Sequence, residues 1–292
     1  MRVLILGKNG MLGSMLYSFL KSKGMEVSGT QRADNKLPYY LNIDERYLDV
    51  GFLDPIVTGI GYIVNCIGAT RLDRSSFNDF RLGFYINAVF PAYLQRFCIS
   101  HSIKIIHVST DAVFQGGIHP CYEDDICDGS GDYALSKILG EVNAPDVLNI
   151  RCSIVGPEEG RTRNLLGWFL SQKDGDMVQG YTNHIWNGVT TLQLSEFIYQ
   201  ILAADLFDGI LKKTGVIHFS PNSPLSKYEM LKAFKEIYKK NIRIEAVRAG
   251  TDVQRILHSK FSMFYPEQKA DFPEAVSKMK VFSENYPQGA ER

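Results

Sequence analysis

The sequence predicts an α/β fold: a doubly wound parallel sheet with a smaller α/β lobe beside it. Three observations carry that expectation. Short β-rich apolar runs alternate with helical apolar spacing through the first half of the chain. The first run ends in spaced glycines that open a helical pattern. After residue 152 the strict alternation gives way to a mixed rhythm of helices, polar stretches and isolated strands.

Taken in order, Val3–Leu6 reads as a buried strand, and the next helix sets Met11, Leu12, Met15, Leu16, Phe19 and Leu20 on one side. Glu26–Thr30 is a second strand and Tyr39–Leu41 a short third. Tyr62–Ile67 and Lys104–Val108 are apolar runs of the kind buried on both faces. A helix is expected over Phe84–Ser100 between them, another over Tyr133–Asn143, and a strand at Val147–Cys152. Such alternation means βαβ units, and right-handed crossovers make a doubly wound sheet the economical topology. Beyond it, Pro157–Arg163 is loop-like, Leu165–Gln172 helical and Asp174–Asn187 a polar stretch. A helix over Leu192–Ala204, a strand at Val216–Phe219 and a helix over Lys227–Lys239 follow. The last ~45 residues read as short irregular pieces punctuated by Pro266, Pro273 and Pro287. Two parts are expected: a nucleotide-binding domain over residues 1–152, and a substrate-binding lobe over 153–292 interleaved with the last strands of the sheet.

Composition narrows the function. The 292 residues carry 32 Lys+Arg against 32 Asp+Glu, a formal net charge of zero, with 45% hydrophobic residues. That is a globular composition, not a disordered one. With neither half strongly basic, binding to nucleic acid or an anionic membrane surface is not expected. No run approaches the ~20 apolar residues that span a bilayer. The first apolar run stops at Gly7 without the shape of a secretory signal, so a cytoplasmic protein is expected. Cys66, Cys98, Cys121, Cys127 and Cys152 form no CxxC pair and no zinc spacing; they are expected as reduced thiols, with no metal site.

Three stretches carry chemistry. Gly7-Lys8-Asn9-Gly10-Met11-Leu12-Gly13 lies between the first strand and first helix. Its glycines permit a tight turn and close approach of a pyrophosphate to the helix N-terminus, a Rossmann-type nucleotide site. An NAD site usually places an acid after the second strand to hold the ribose 2′-hydroxyl. This chain has Thr30-Gln31-Arg32 there, and the Arg32 guanidinium suits a 2′-phosphate, so NADP(H) is expected over NAD(H). Tyr133 and Lys137, four apart on a helix, face the same space. A cation beside a phenol, together with an oxidised nicotinamide, lowers the phenol's pKa toward the working range. Ser109-Thr110-Asp111 follows a strand directly, where a hydroxyl enters the ligand crevice and can hydrogen-bond a carbonyl. Cys66, Ile67 and Gly68 end the neighbouring strand and can line the nicotinamide side, and Asn87 lies in the helix between the two strands.

Together, Gly7-x-x-Gly10-x-x-Gly13, Asn65-x-x-Gly68, Asn87, Ser109-Thr110-Asp111-Ala112-Val113-Phe114 and Tyr133-x-x-x-Lys137 resemble the extended short-chain dehydrogenase/reductase superfamily. Within it the chain is most similar to nucleotide-sugar reductases of the dTDP-4-dehydrorhamnose reductase kind. The likeness extends to Asn187-Gly188-Val189-Thr190-Thr191 and Arg255-Ile256-Leu257-His258-Ser259. It implies Tyr133 as the acid–base residue, Lys137 as the residue that lowers its pKa and holds the nicotinamide ribose, and Thr110 as the group orienting the carbonyl. Hydride would pass from NADP(H) to C4 of a nucleotide-linked 4-keto-6-deoxy sugar, in surface-polysaccharide sugar biosynthesis.

Related dehydratases have a Glu where this chain has Ala112, and related epimerase–reductases a Cys where it has Asp111. Plain reduction passes both tests. The chain departs from the family pattern at Arg151-Cys152-Ser153-Ile154, which lacks a Trp, and at Asn187–Thr190, both on the substrate side. Asp111 and Thr110, with Arg71, Asn164 and His184, are the expected substrate contacts; Arg74, Arg161 and Arg163 lie in loops expected to border the crevice. A non-catalytic NADP-binding regulatory subunit or a nucleotide-sugar epimerase on the same fold are the alternatives, and a homodimer stays open. The complete set of Tyr133, Lys137 and Thr110 favours the enzyme.

Overall fold

Burial alternates along the first strand, β1 (Arg2–Leu6). Val3 and Ile5 join one apolar cluster, Leu4 and Leu6 another, and all four are fully buried. A strand covered on both sides belongs to a parallel sheet with helices on each face. The computed structural model describes residues 2–31, 50–70, 72, 75, 77–117, 120–158, 162, 164–266 and 271–286. The expected strand at Tyr39–Leu41 lies outside these residues, as do Arg32, Arg71, Arg74, Arg161, Arg163 and Pro287.

After β1 come α1 (Met11–Ser22), β2 (Glu26–Gly29), β3 (Ile60–Asn65), α2 (Phe77–Phe84) and α3 (Phe90–Ser100). The first half continues with β4 (Lys104–Val108), α4 (Asp132–Gly140) and β5 (Val147–Arg151). The second half holds β6 (Ile154–Val155), α5 (Leu165–Ser171), β7 (Met177–Tyr181), β8 (His184–Trp186) and β9 (Val189–Thr190). It continues with α6 (Thr191–Ala203), α7 (Phe207–Leu211), β10 (Val216–His218), β11 (Leu225–Ser226) and α8 (Lys227–Tyr238). β12 (Arg243–Val247), β13 (Val253–Arg255) and α9 (Phe272–Asn285) complete the described elements.

Among the described residues the main sheet has the order β10-β5-β4-β3-β1-β2, every pair parallel. The chain runs outward from β1 to β2, then returns to β3 on the other side of β1. That reversal between β1 and β3 is a topological switch point, and the crevice beyond the carboxyl ends of these strands is where such sheets bind ligands. One face is packed by Leu12, Leu16 and Leu20 of α1 with Leu194, Phe197, Ile198 and Ile201 of α6; the other by Phe90, Leu94 and Phe97 of α3. Each such fully buried side chain contributes about 1.5–3 kcal/mol. A third cluster joins Met15 and Phe19 of α1 to Phe169, Phe234, Phe272 and Val276 of the second half. Smaller sheets, β11-β8-β13, β12-β7 and β6-β9, build the rest of that half. No helix of the described residues is long and apolar enough to cross a membrane.

Three expectations are corrected. The single helix over Phe84–Ser100 starts earlier and is interrupted: α2 and α3 are joined by a π-helical turn over Tyr85–Val89. Pro91 is the physical reason, since it has no N–H to return to the Asn87 carbonyl four residues back. That carbonyl abuts Gly140, where an added Cβ would lie 1.9 Å from it. The polar stretch Asp174–Asn187 contains β7 and β8, which take their partners from distant β12, β11 and β13. The chain's end is not all irregular, because α9 buries Phe272, Ala275, Val276 and Met279, a helical face hidden among Lys, Glu and Ser. Pro273 there sits in the first turn, where proline starts a helix rather than breaking one.

Candidate active site

The glycine turn forms a cradle at the switch point. Gly7 has φ +83°, a conformation that favours glycine, and a Cβ on Gly13 would stand 2.1 Å from the Gly7 carbonyl oxygen. The first turn of α1 has neither a capping side chain nor an acidic residue, so its N–H groups keep their positive end for a ligand. A Cβ on Gly10 would meet only the Gly7 oxygen, at 3.4 Å, so the space before the turn is open. This arrangement fits the pyrophosphate of a dinucleotide. Thr30 braces the turn: its carbonyl accepts from the Lys8 N–H at 2.7 Å and its Oγ1 from the Gly7 N–H at 3.1 Å. Asn9 Nδ2 donates to Gln31 Oε1 at 2.8 Å. Lys8 Nζ lies 5.0 Å from the centre of the Tyr17 ring. Gly13→Ala is expected to lower stability by about 1–3 kcal/mol through overpacking and to weaken NADPH binding. Thermal melting and fluorescence titration check both, and unchanged values would mean the turn opens freely.

The loop after β3 lies against this cradle. A Cβ on Gly7 would be 2.9 Å from Ile67 Cγ1 and 3.7 Å from the Cys66 carbonyl carbon. The π-helical turn presents the Asn87 amide to the same loop: Oδ1 accepts from the Ala69 N–H and Nδ2 donates to the Ala69 carbonyl, both at 2.8 Å. Asn87 Nδ2 also reaches Ser136 Oγ at 3.0 Å, which ties the loop to α4. Gly68 is close by, where a Cβ would be 3.7 Å from Asn87 Oδ1. Met11, Leu12 and the cradle glycines, Cys66–Gly68 and Asn87 are thus gathered at one edge of the sheet.

The second cluster follows β4. Thr110 caps a short 3-10 turn over Asp111–Val113, its Oγ1 accepting from the Ala112 N–H at 3.2 Å and donating to Asp111 Oδ1 at 3.2 Å. The Gly129 N–H bonds the Val113 carbonyl at 2.8 Å and brings the start of α4 onto this turn. There the Tyr133 phenol comes near Thr110. Burial pushes the Tyr133 phenol up, the Thr110 hydroxyl draws it down, and the nearby Asp111 charge raises it again. Burial also raises the Asp111 carboxyl, against the pull of Arg255 and of hydrogen bonds from Thr110 and Ser153.

Lys137, one turn beyond Tyr133, is 4% exposed and donates to the Val108 carbonyl at 3.0 Å. Burial lowers it to about 8. Burial is the largest influence on the Tyr133 phenol, and Lys137 is held by the backbone of β4.

Not every expected contact joins this cluster. Asn164 caps α5, its Oδ1 accepting from the Gly167 N–H at 2.8 Å, while its buried Nδ2 has no hydrogen-bond partner among the described residues. His184 sits on β8 with its ring 4.7 Å from that of Tyr181. No described contact links either to Tyr133 or Thr110. Other residues also lie near the site. Arg255 of β13 faces Asp111 and Tyr133 electrostatically. Glu141 and Arg151 form a buried ion pair, Arg151 Nη2 to Glu141 Oε2 at 2.7 Å and Nε to both oxygens at 2.9 and 3.1 Å. Ser109 Oγ donates to Glu141 Oε1 at 2.5 Å, so this pair anchors the turn after β4. Glu141 could have been found at the next i+4 position after Lys137.

The family model described as the RmlD substrate binding domain matches residues 1–275. The probable low-salt glycan biosynthesis reductase Agl14 of Haloferax volcanii is 30% identical over 197 residues, 63% of this chain and 64% of that protein. The dTDP-4-dehydrorhamnose reductase of Mycobacterium tuberculosis is 28% identical over 145 residues, 48% of this chain and 44% of that one. The chain thus spans less than two thirds of the length of these relatives. A dTDP-4-dehydrorhamnose reductase from Bacillus anthracis, solved in complex with NADP, shares the fold with a TM-score of 0.76 at 18% identity, over 96% of this chain and 98% of that one.

Proposed function

The chain belongs to the RmlD substrate binding domain family, and on that premise we propose that it is an NADP(H)-dependent reductase of a nucleotide-diphospho-4-keto-6-deoxy sugar. The observation that carries this reading is the glycine cradle at the switch point of the sheet, with the Tyr133 phenol brought near Thr110 after β4. When bound, the reduced nicotinamide supplies the hydride that reaches C4 of the sugar. Gly7–Gly13 and the first turn of α1 hold the pyrophosphate, and Cys66–Gly68 with Asn87 form the wall beside it. Thr110 hydrogen-bonds the keto oxygen, and Tyr133 gives its phenolic proton to the oxygen as charge develops there. Burial holds the phenol above its ordinary range, so it is protonated at neutral pH, the form a donor needs. Lys137 holds the nicotinamide ribose. Arg71, Asn164 and His184, with Asp111, are assigned to the sugar and its diphosphate.

NADP(H) is favoured by Arg32 and by the lack of an acid in Thr30-Gln31-Arg32. The named reductases among the relatives support the reaction class, and the two glycan and sugar names support a place in polysaccharide biosynthesis. The test is a panel of dTDP-, UDP-, GDP- and CDP-linked 4-keto-6-deoxy sugars with NADPH, followed at the nicotinamide absorbance. One nucleotide sugar is expected to consume NADPH, and NADPH to be preferred to NADH. Failure with every member overturns the reading.

A further inference from the structure

A buried histidine lies beside Lys137, and the reaction proposed above makes no use of it. Asn65 at the end of β3 and His107 on β4 are register partners on adjacent parallel strands, so their side chains stand together on one side of the sheet. They are 0% and 2% exposed. The Asn65 amide has only one orientation open to it. Its Oδ1 accepts from the Ile67 N–H at 3.1 Å, which leaves Nδ2 facing His107 Nδ1 at 3.1 Å. An amide nitrogen only donates, so His107 Nδ1 must be the acceptor, and a neutral imidazole then carries its hydrogen on Nε2. His107 Nε2 lies 3.4 Å from Lys137 Nζ.

The consequence falls on the lysine. A ring N–H aimed at an ammonium meets only further donors, whereas aimed at a neutral amine it meets a lone pair. The bond from Lys137 to the Val108 carbonyl is stronger from the ammonium, so it and the imidazole N–H act in opposite directions on the lysine. We infer that Asn65 and His107 are positioning residues: through a fixed Nε2–H tautomer they bias Lys137 toward its amine form. The bearing of this bias on the reaction, though not its geometry, rests on the assignment of Lys137 to the nicotinamide ribose.

The surroundings agree. Burial is the largest influence on Lys137 and lowers it, and burial together with the Lys137 charge holds His107 well below its ordinary value, so the ring is neutral. On α4, Glu141 is the group that favours the ammonium, and Tyr133 lies one turn before it. Cys66 after β3 and Cys152 after β5 are both pushed upward by burial and stay as thiols. The hydrogen-bonded series begins at the backbone of Ile67, in the loop assigned to the cofactor. A shift of that loop is therefore transmitted, through one amide and one imidazole, to the proton on Lys137.

Nitrogen-15 NMR of the histidine side chains in the full-length protein reads the tautomer directly. His107, assigned by its loss in His107→Gln, is expected as Nε2–H between about pH 6 and 9. An Nδ1–H ring or an imidazolium in that range overturns the inference. Asn65→Asp supplies the second arm. One carboxylate oxygen still accepts from Ile67, the other accepts from His107, the ring hydrogen moves to Nδ1, and Nε2 turns a lone pair toward Lys137. The Lys137 midpoint, followed by carbon-13 at its ε position, is expected to rise by about one pH unit or more. A folded Asn65→Asp protein with an unmoved midpoint overturns the inference, and if that variant does not fold the unsubstituted protein's tautomer still decides. Neither readout involves turnover. A chain that reduces no sugar nucleotide yet shows the Nε2–H ring would sink the reductase reading and leave this one standing.

Discussion

Tyr133→Phe is expected to cut reduction of the sugar nucleotide by about 10²–10⁴-fold, the usual worth of a positioned general acid, with NADPH affinity nearly unchanged. The variant removes one oxygen. The ring keeps its place at the start of α4, and the α4 contacts that run through Ser136 and Asn87 do not involve the phenol. The cradle around Gly7 and Gly13 is built from other parts of the chain. Thr110 keeps its bond to Asp111 and its cap on the Ala112 N–H, so the turn after β4 stays formed. Steady-state kinetics and a fluorescence titration with NADPH separate the two effects. Turnover within a few-fold of the parent would remove Tyr133 from the chemistry.

Glu141→Ala is expected to cost about 3–5 kcal/mol of stability, because it strips the partner from a buried charge. The Arg151 and Glu141 side chains are only 6% and 7% exposed. What remains around Arg151 is poor compensation: the Glu123 carbonyl at 3.3 Å, His218 Nε2 at 3.3 Å, the Cys127 sulfur at 3.1 Å and the Phe114 ring 5.2 Å away. The Glu123 charge also favours the guanidinium, but its carboxylate is taken up by the His218 N–H, the Ser259 hydroxyl and the Lys260 N–H. Ser109 loses its acceptor as well. Chemical denaturation of the variant measures the loss. Replacing Glu141 and Arg151 together by leucine is expected to recover much of it, since no unpaired ion is then left inside. A single variant as stable as the parent would show that water reaches Arg151.

The parts of this molecule legible in its sequence are those written over short spans. Gly7, Gly10 and Gly13 lie within one turn and one helix start, and Tyr133 and Lys137 within one helical turn. Periodicity also located the strands of the main sheet, since parallel strands buried on both faces are almost wholly apolar. What escaped depends on pairing across distance. Asn65 and His107 are 42 residues apart and meet through strand register, which no local pattern records. β7 and β8 looked like a polar stretch because each is half exposed and takes its partners from beyond residue 224. α9 was masked by its charged outer face and by Pro273, a residue whose meaning depends on whether it stands first or mid-way in a helix.

The sixth strand of the main sheet has a consequence for synthesis on the ribosome. His218 of β10 pairs with Arg151 of β5, 67 residues earlier in the chain. At ordinary translation rates of ~5–20 residues per second, the outer edge of β5 waits roughly 3–13 s for that partner. During that interval a bare apolar strand edge is offered to any other extended chain nearby. A nascent chain stalled between β5 and β10 is therefore the form of this protein most in need of a chaperone, and the point at which slowing or shielding translation gains the most soluble product.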